Sequence, residues 1–527
     1  MNWDFPYASR RAPVLARNVV ATSQPLAAQA GLDAMRRGGN AVDAALAAAI
    51  TLTVVEPSMN GVGSDAFAIV WDGEAISGIN GSGRSPAGWT PERFAGLGEM
   101  PMHGWDAVTV PGCVSVWVAL SDRFGHLPFA DLFGAAIGYA RDGFHVGHKT
   151  AAGWRHAAET LGEFPAFREH FLPSGKAPAP GEKFRRRDLA DTLTRIAETK
   201  GKALYRGELA ARIAAAATQG GGAMTEDDLA AHQCDWVDPI AQPYRDVELL
   251  EIPPNGQGLA AQIALAILEH QGTASLEPGS ADWTHLQVEA MKIAIRAAFD
   301  HFADPRAMKL PPEALLERDS IRRAAATISR ATAAPLPPVA LPVSHDTVYL
   351  TAADEEGRMI SMIQSNYMGF GSGIVIPGTG IAMQNRGAGF TLQPGHPNEV
   401  GPNKRPFHTI IPGFVTRAGV PAMSFGVMGG HMQHQGHVQM VTRIFDHHEN
   451  PQAASDAPRW HVTPDFQLAL EAGFPESVAQ DLANRGHSVG IVEAEGVFGG
   501  AQLIYRMEDG GYCAASDHRK EGAAVGF

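Results

Sequence analysis

Cysteine, charge and long apolar runs are all scarce in this chain of 527 residues. Its three cysteines, Cys113, Cys234 and Cys513, form no CxxC pair. That excludes a disulfide scaffold and a cysteine-rich zinc site, and it favours a reducing compartment. Charged residues make up 19% of the chain, below the usual share of about 25%. Hydrophobic residues make up 45%, enough for a large buried core, which excludes wholesale disorder.

Membrane and nucleic-acid functions are also disfavoured. The clearest apolar run, residues 44–55, is shorter than the roughly 20 residues needed to span a bilayer. The first residues lack the apolar core of a signal peptide. The 42 basic and 56 acidic residues give a net charge of −14, which repels phosphate backbones. We therefore expect a cytoplasmic protein with neither a membrane nor a nucleic-acid partner.

Two apolar helices are predicted near the start of the chain. Ser23 is expected to cap the first helix, which ends at a Gly-Gly pair, and Asn40 is expected to cap the second, over 41–55. Both helices are apolar nearly all round and should lie in the interior. The glycine loop 61–65 precedes a strand, whereas dinucleotide binding requires strand, loop and helix in that order. The loop is therefore not expected to bind a cofactor.

A proline-rich stretch, 333–342, divides the chain into two parts that differ in predicted secondary structure. Helical patterns dominate before it, and strands and glycine loops follow it. The first two strands after it, 347–353 and 358–365, form a predicted hairpin around a turn at 354–357. Stacked layers of helix and sheet in one α/β unit explain this pattern better than separate domains do.

Two further motifs are weak candidates for chemistry. Residues 486–490, GHSVG, match a serine-hydrolase elbow, but here a helix is predicted before the motif and a strand after it, the reverse of what the elbow needs. His431, His434 and His437 are spaced three apart without an HExxH pattern. A polar helix beginning at Gly430 is the simpler interpretation, and we expect no metal and no other cofactor.

The junction Asp346–Thr347 is the strongest candidate for chemistry. An exposed linker runs there into the first residue of a buried hairpin, and cleavage would leave Thr347 as a new N-terminus. A threonine hydroxyl needs a base to become a nucleophile. A free α-amino group, whose pKa is about 7.7–8.0, suits that role. The paired amides of Gly429 and Gly430, at a helix start, suit the oxyanion.

Ordered blocks along nearly the whole chain resemble the γ-glutamyltranspeptidase family of N-terminal-nucleophile hydrolases. The blocks are GGNAVDAALAA (38–48), VPGCVSVWVAL (110–120), YARDGF (139–144), PPNGQG (253–258), DTVYLTAADEEGRMIS (346–361), FGSGIVIPGTGI (370–381), GPNKRPFHTIIP (401–412), MGG (428–430) and ASDHR (515–519). The resemblance implies a four-layer αββα sandwich. It also implies self-cleavage into a large chain, 1–346, and a small chain, 347–527, that form one intertwined unit, a heterodimer or a dimer of heterodimers.

The resemblance further assigns roles to single residues. It implies that Thr347 attacks an amide carbonyl, with Gly429 and Gly430 as the oxyanion donors. Ser365 falls near the position of a hydroxyl that hydrogen-bonds the nucleophile.

The substrate-binding positions depart from the family pattern. Members that bind γ-glutamyl groups hold the α-amino group with acidic and amide side chains. The corresponding stretch of this chain, residues 384–390, contains Arg386 and no acid. Paired serines are replaced by His408 and Thr409, and Arg84 is shifted by two positions from the family's carboxylate-binding arginine. Guanidinium binds carboxylate bidentately, which favours a carboxylate without an ammonium partner. The expected substrate-binding residues are Arg84, Asn366, Tyr367, Arg386, His408 and Thr409.

These features predict a self-processed amidohydrolase whose partner is a small amide carrying a carboxylate. Among branches without the amino-group clamp, oxamate amidohydrolase of purine breakdown is the most similar, and its reaction would yield oxalate and ammonia. The alternatives are a cephalosporin or glutaryl acylase, a γ-glutamyl hydrolase or transferase of glutathione metabolism, and a catalytically silent relative that acts by binding. The presence of Thr347 with Gly429 and Gly430 argues against the last alternative.

Overall fold

A computed structural model describes residues 10–339 and 347–527 of the chain. The strands are β1 Val14–Ala16, β2 Val19–Thr22, β3 Asp65–Trp71, β4 Ile76–Asn80, β5 Phe144–His145, β6 Lys183–Phe184, β7 Asp235–Val237, β8 Ile240–Tyr244, β9 Val247–Glu251, β10 Val348–Ala353, β11 Met359–Ser365, β12 Gly413–Arg417, β13 Val420–Met428, β14 Trp460–Val462, β15 Leu468–Glu471, β16 Val489–Val492, β17 Gly500–Arg506, β18 Tyr512–Ser516 and β19 Ala523–Gly526. The α-helices are α1 Pro25–Arg36, α2 Ala41–Val55, α3 Cys113–Phe124, α4 Gly134–Asp142, α5 His148–Leu161, α6 Pro165–Phe171, α7 Arg187–Thr199, α8 Lys202–Arg206, α9 Glu208–Gln219, α10 Glu226–Ala230, α11 Gly258–Leu268, α12 Ala281–His301, α13 Arg318–Ala326, α14 Gln433–Val441, α15 Pro451–Asp456 and α16 Glu476–Asn484.

Two seven-stranded antiparallel sheets form the centre of the described structure. The first has the order β1-β18-β17-β13-β12-β9-β8, and the second has the order β19-β2-β10-β11-β3-β4-β7. Strands β10 to β19 follow Thr347 in the chain, and the others precede it. Each sheet therefore contains strands from both sides of the predicted cleavage point.

Apolar side chains hold the two sheets face to face and hold helices on their outer faces. The layer between the sheets includes Phe67, Tyr349, Ile363 and Phe414, all buried. Helices α1 to α4 and α7 share a second buried cluster with the outer face of the second sheet. Helices α11, α12 and α14 share a third cluster with the first sheet. The predicted four-layer αββα arrangement is confirmed.

The two N-terminal helices show what local sequence determines. Asn40 caps α2 and forms a capping box with Asp43, as predicted, and every residue of α2 is buried. The predicted cap of α1 is wrong by one residue. A proline occupies the first helical position, so the cap is the residue just before it, Gln24, whose side chain accepts hydrogen bonds from the first turn. Ser23 instead donates its hydroxyl to Glu56 at 2.5 Å.

The predicted hairpin is present as β10 and β11, paired from Val348–Gln364 to Ala353–Met359. Residues 333–339 of the proline-rich stretch have no regular structure and are mostly exposed. The rest of that stretch and Asp346 lie outside the described residues. No helix in the described part of the chain combines the length and the apolarity needed to cross a membrane.

Candidate active site

Thr347 lies one residue before β10 and is only 1% exposed. Because Val348 pairs with Gln364 in the ladder, the preceding position brings Thr347 opposite Ser365. Thr347 Oγ1 donates to Ser365 Oγ at 3.3 Å. Ser365 Oγ in turn accepts the N–H of Tyr367 at 2.8 Å. The structure thus brings the candidate nucleophile and the predicted hydroxyl together.

Gln433, the first residue of α14, also contacts the candidate nucleophile. Its Nε2 donates to Thr347 Oγ1 at 3.5 Å, and its Oε1 accepts the N–H of Ile411 at 3.1 Å. The second contact fixes which end of the amide faces the threonine, because the backbone N–H requires an acceptor. The sequence reasoning missed Gln433, and the only signal for it was its place just after the Gly-Gly pair.

Gly429 and Gly430 form a sharp turn between β13 and α14. Their φ angles are 133° and 57°, values that favour glycine. A Cβ on Gly429 would lie 2.8 Å from the Cα of Gly499. Within the described residues, no hydrogen bond uses the N–H of either glycine. Both N–H groups lie just before a helix, where the partial positive charge favours an oxyanion.

Gln257 ties this glycine turn to the loop that carries Thr409. Its Nε2 donates to the carbonyl of Gly430 at 2.8 Å and to the carbonyl of Thr409 at 2.6 Å. Gln257 belongs to the PPNGQG block, for which the sequence indicated no role. The contact explains how the block supports the site.

Arg386 is completely buried beside this loop. Its Nη1 donates to Thr409 Oγ1 at 2.7 Å, and its guanidinium carbon lies 4.4 Å from the centre of the Tyr367 ring. Its Nε and Nη2 have no hydrogen-bond partner among the described residues. Leaving such donors unpaired in the interior costs free energy. Nε and Nη2 lie on one edge of the guanidinium, the edge that can hold a carboxylate bidentately.

Asp65, at the start of β3, is a buried acid near Arg386 that the sequence reasoning missed. Its Oδ1 accepts the N–H groups of Gly83 and Gly112, both at 3.1 Å, and Nε2 of Gln384 at 3.0 Å. Its Oδ2 accepts Nε2–H of His408 at 3.0 Å. Burial raises the pKa of Asp65 to about 7, against the opposing effects of Arg386 and the hydrogen-bond donors.

His408, one of the predicted substrate-binding residues, is held by this carboxylate. Its Nδ1 accepts the N–H of Ile410 at 3.4 Å, so the ring proton belongs on Nε2, facing Asp65. Burial, with help from the charges of Arg386 and Arg405, lowers the pKa of His408 well below its usual value. His408 is therefore neutral and serves as a hydrogen-bond donor.

Two other predicted binding residues have different settings. Asn366 accepts a hydrogen bond from Ser64 at 2.8 Å, and its buried Nδ2 has no partner among the described residues. Arg84 donates to Asp304 at 2.8 Å and lies 4.0 Å from Asp235. The expectation that Arg84 binds a substrate carboxylate is not supported by these contacts, because neighbouring acids already balance its charge.

Two of the three histidines after the Gly-Gly pair, His431 and His437, contact different residues, whereas neither ring nitrogen of His434 has a hydrogen-bond partner among the described residues. A 3-10 turn, Gly430–Met432, leads into α14, as expected for a helix starting near Gly430. His437 Nδ1 lies 2.6 Å from Glu251, whereas the ring of His431 stacks on Phe407 at 6.0 Å. In the described residues, these histidines do not form a group able to hold a metal ion.

Another group has ligand atoms close enough for a metal ion: His285, Glu289 and His487, whose nearest atoms lie within 4.8 Å of one another. His285 and His487 already share a hydrogen bond of 2.7 Å. Lys292 donates to Glu289 at 2.8 Å. These contacts already occupy ligand atoms of the group.

His487 also belongs to the GHSVG motif. Helix α16 precedes this motif and strand β16 follows it, the order that argues against a nucleophile elbow.

Comparison with known proteins identifies the family. A family model described as gamma-glutamyltranspeptidase matches residues 27–527. The chain belongs to the γ-glutamyltranspeptidase family. The crystal structure of cephalosporin acylase from Bacillus halodurans is 44% identical, with a TM-score of 0.94 over 100% of this chain and 99% of that chain.

Two curated members of the γ-glutamyltranspeptidase family are similar over nearly their whole length. The glutathione hydrolase-like YwrD proenzyme of Bacillus subtilis is 36% identical over 97% of this chain and 98% of its own. The oxamate amidohydrolase proenzyme of Klebsiella pneumoniae is 35% identical over 95% of this chain and 97% of its own. The chain is therefore an enzyme of the N-terminal-nucleophile type, in a family of proenzyme amidohydrolases and acylases with a threonine nucleophile.

Proposed function

We propose that this γ-glutamyltranspeptidase-family enzyme cleaves itself before Thr347 and hydrolyses a small amide that carries a carboxylate and no amino group. Oxamate is the first candidate substrate. The observation that carries the proposal is the buried Arg386, whose Nε and Nη2 have no partner among the described residues. A carboxylate would satisfy both nitrogens.

The proposed chemistry uses Thr347 twice. After cleavage its free α-amino group takes the proton of its own hydroxyl, and Oγ1 attacks the amide carbonyl. The N–H groups of Gly429 and Gly430 stabilise the oxyanion. The protonated amine then passes its proton to the leaving nitrogen, ammonia departs, and water hydrolyses the remaining ester.

The setting of Arg386 disfavours an ammonium group on the substrate. Residues 384–390 contain no acid. The nearby acid, Asp65, is completely buried, and both of its oxygens already accept hydrogen bonds. An ammonium desolvated beside the guanidinium would lack a counter-charge, which is costly in a buried site.

A short series of hydrogen bonds connects Arg386 to the glycine turn, which supports a substrate with a small acyl group. Arg386 bonds to Thr409, and Gln257 bonds to the carbonyls of both Thr409 and Gly430. The carboxylate site and the oxyanion turn are thus joined through one glutamine. The 35% identity to an oxamate amidohydrolase proenzyme also supports oxamate.

A glutaryl-type acyl group is the second candidate, because it too presents a carboxylate without an amine. The 44% identity to a cephalosporin acylase supports this candidate. The two candidates differ in the number of carbons between the carboxylate and the scissile carbonyl, so a series of amides of increasing length separates them.

The test compares kcat/KM for oxamate, a glutaryl amide, glutamine and a γ-glutamyl anilide. We expect one of the first two to be preferred. Arg386→Ala should raise KM for that substrate by about tenfold to a hundredfold, the effect of losing a charged hydrogen bond. Arg84→Ala is the matched control and should leave KM nearly unchanged, because Arg84 pairs with Asp304. A clear preference for the γ-glutamyl anilide would refute the proposal.

A further inference from the structure

Asp65 and Arg386 are buried together without forming an ion pair. Both side chains are 0% exposed, and no salt bridge joins them in the described structure. Burial lowers the pKa of Arg386 to about 10, so the guanidinium stays charged at neutral pH. Burial raises the pKa of Asp65 to about 7. The pair therefore changes between a net charge of +1 and a net charge of zero near neutral pH.

The other groups that face this pair hold their charge near pH 7. His408 is neutral, because burial and the charges of Arg386 and Arg405 keep its pKa well below the usual value. Burial raises the pKa of the Cys113 thiol, and the Asp65 charge adds to that effect. Burial also raises the pKa of Tyr367, although Arg386 opposes the shift. Asp65 is therefore the group whose charge responds to pH in this cluster.

We propose that Asp65 links the binding of a carboxylate to the uptake of a proton. When a carboxylate binds Arg386, Asp65 takes up one proton. This proposal rests on the carboxylate site of the proposed function. Asp65 acts through Arg386 rather than by touching the ligand, because both of its oxygens already accept hydrogen bonds, from His408 and Gln384 among others.

The sign of the coupling follows from charge. In the empty site, the positive Arg386 favours ionised Asp65. A bound carboxylate neutralises that charge, so the pKa of Asp65 rises above its value in the empty site. Between these two values the complex holds one more proton than the free enzyme. Affinity for the carboxylate is therefore full below about pH 7 and falls by up to about tenfold per pH unit above it.

The first test measures inhibition by propionate, a simple monocarboxylate that stays ionised from pH 6 to 9. For the mature wild-type enzyme, the inhibition constant should be flat up to about pH 7 and then rise. Asp65→Asn mimics the neutral form. It keeps an acceptor for the N–H groups of Gly83 and Gly112 and should make the inhibition constant independent of pH. A rise that persists unchanged in Asp65→Asn would overturn the proposal.

Glu251→Gln is the matched control. Glu251 is another completely buried carboxylate bonded to a histidine, His437, at 2.6 Å. This variant should keep the wild-type dependence of propionate inhibition on pH. The plot of kcat against pH should keep the limb due to the Thr347 amine in the wild type, in Asp65→Asn and in Glu251→Gln. This limb distinguishes the titration of the amine from that of Asp65.

Calorimetry on the wild-type enzyme tests the same coupling without depending on the fold of a variant. Propionate binding at pH 7.5, measured in two buffers of different ionisation enthalpy, should show net proton uptake. His408→Ala removes a donor to Asp65 and should move the transition to higher pH. Propionate that binds with no proton uptake refutes the coupling alone, whereas propionate that fails to bind at any pH refutes the carboxylate site itself.

Discussion

Thr347 reaches its chemical setting through residues that come from three separate elements. Ser365 ends β11, Gln433 begins α14, and Gly429 follows β13. The hydroxyl contacts the first two at 3.3 and 3.5 Å. An unactivated threonine thus becomes a candidate nucleophile because the fold places an acceptor and a donor beside one side chain, with the proposed oxyanion glycines just before that donor in the chain.

At this scale we predict that Thr347→Ala abolishes self-cleavage. The purified variant should run as one chain, whereas the wild type should run as two, with Thr347 as the N-terminus of the smaller. Thr351→Ala is the control: this buried threonine lies in the same strand and bonds to Ile360 and Ser424 instead, so its processing should continue. Active wild-type protein with an intact Asp346–Thr347 bond would show that the mechanism is wrong.

The proposed oxyanion turn is shaped by one unit, which consists of β13, the two glycines and α14. The strand delivers the backbone, and the left-handed conformation of Gly429 and Gly430 turns the N–H groups out of the ladder. The helix then adds its positive end to the same position. The first of the two positions requires glycine, because the turn is too tight at Gly429 for a side chain.

We therefore predict that Gly429→Ala lowers kcat by about a hundredfold to a thousandfold. The added Cβ would clash with Gly499 and displace the N–H groups of the turn, which has the usual effect of losing one oxyanion donor. Gly419→Ala is the control. Gly419 also has a positive φ, 78°, but a Cβ there would meet no atom within 4 Å. Both variants should lower the melting temperature, whereas only the first should lose activity. Equal loss of activity in both would mean that backbone strain, rather than the oxyanion turn, explains the effect.

The whole molecule is organised around strand pairs that cross the proposed cleavage point. β2 pairs with β10, β3 with β11, β9 with β12 and β1 with β18. Cleavage of one peptide bond would leave all of these hydrogen bonds and the apolar layer between the sheets in place. The proposed large and small chains would therefore remain a single folded unit.

We predict that the two chains of the processed enzyme elute together in native size-exclusion chromatography and separate only in denaturant. Native mass spectrometry should give the combined mass or a multiple of it. Recovery of a folded small chain alone would contradict the interleaved sheets, since its strands would lack their neighbours. The unprocessed Thr347→Ala protein provides the reference mass.

Much of this architecture could be predicted from neighbours in the chain. The β10–β11 hairpin and the Asn40 cap of α2 arise from contacts a few residues apart, which leave a pattern in the sequence. The family blocks led to Thr347, Gly429 and Gly430 because their order is itself specific. The predicted cap of α1 was wrong by one residue, because the proline in the first turn determines where the helix begins.

The sequence by itself determined the family and the layered fold, and it singled out the junction at Thr347 as the proposed cleavage point. Only the tertiary structure decided which charges meet. Asp65 bonds to His408 across 343 residues of chain, and Arg84 bonds to Asp304 across 220. Contacts over such distances have no period and no spacing in the sequence. Whether a charge is paired, as in Arg84, or buried with open donors, as in Arg386, depends on which segments the folded sheets bring side by side.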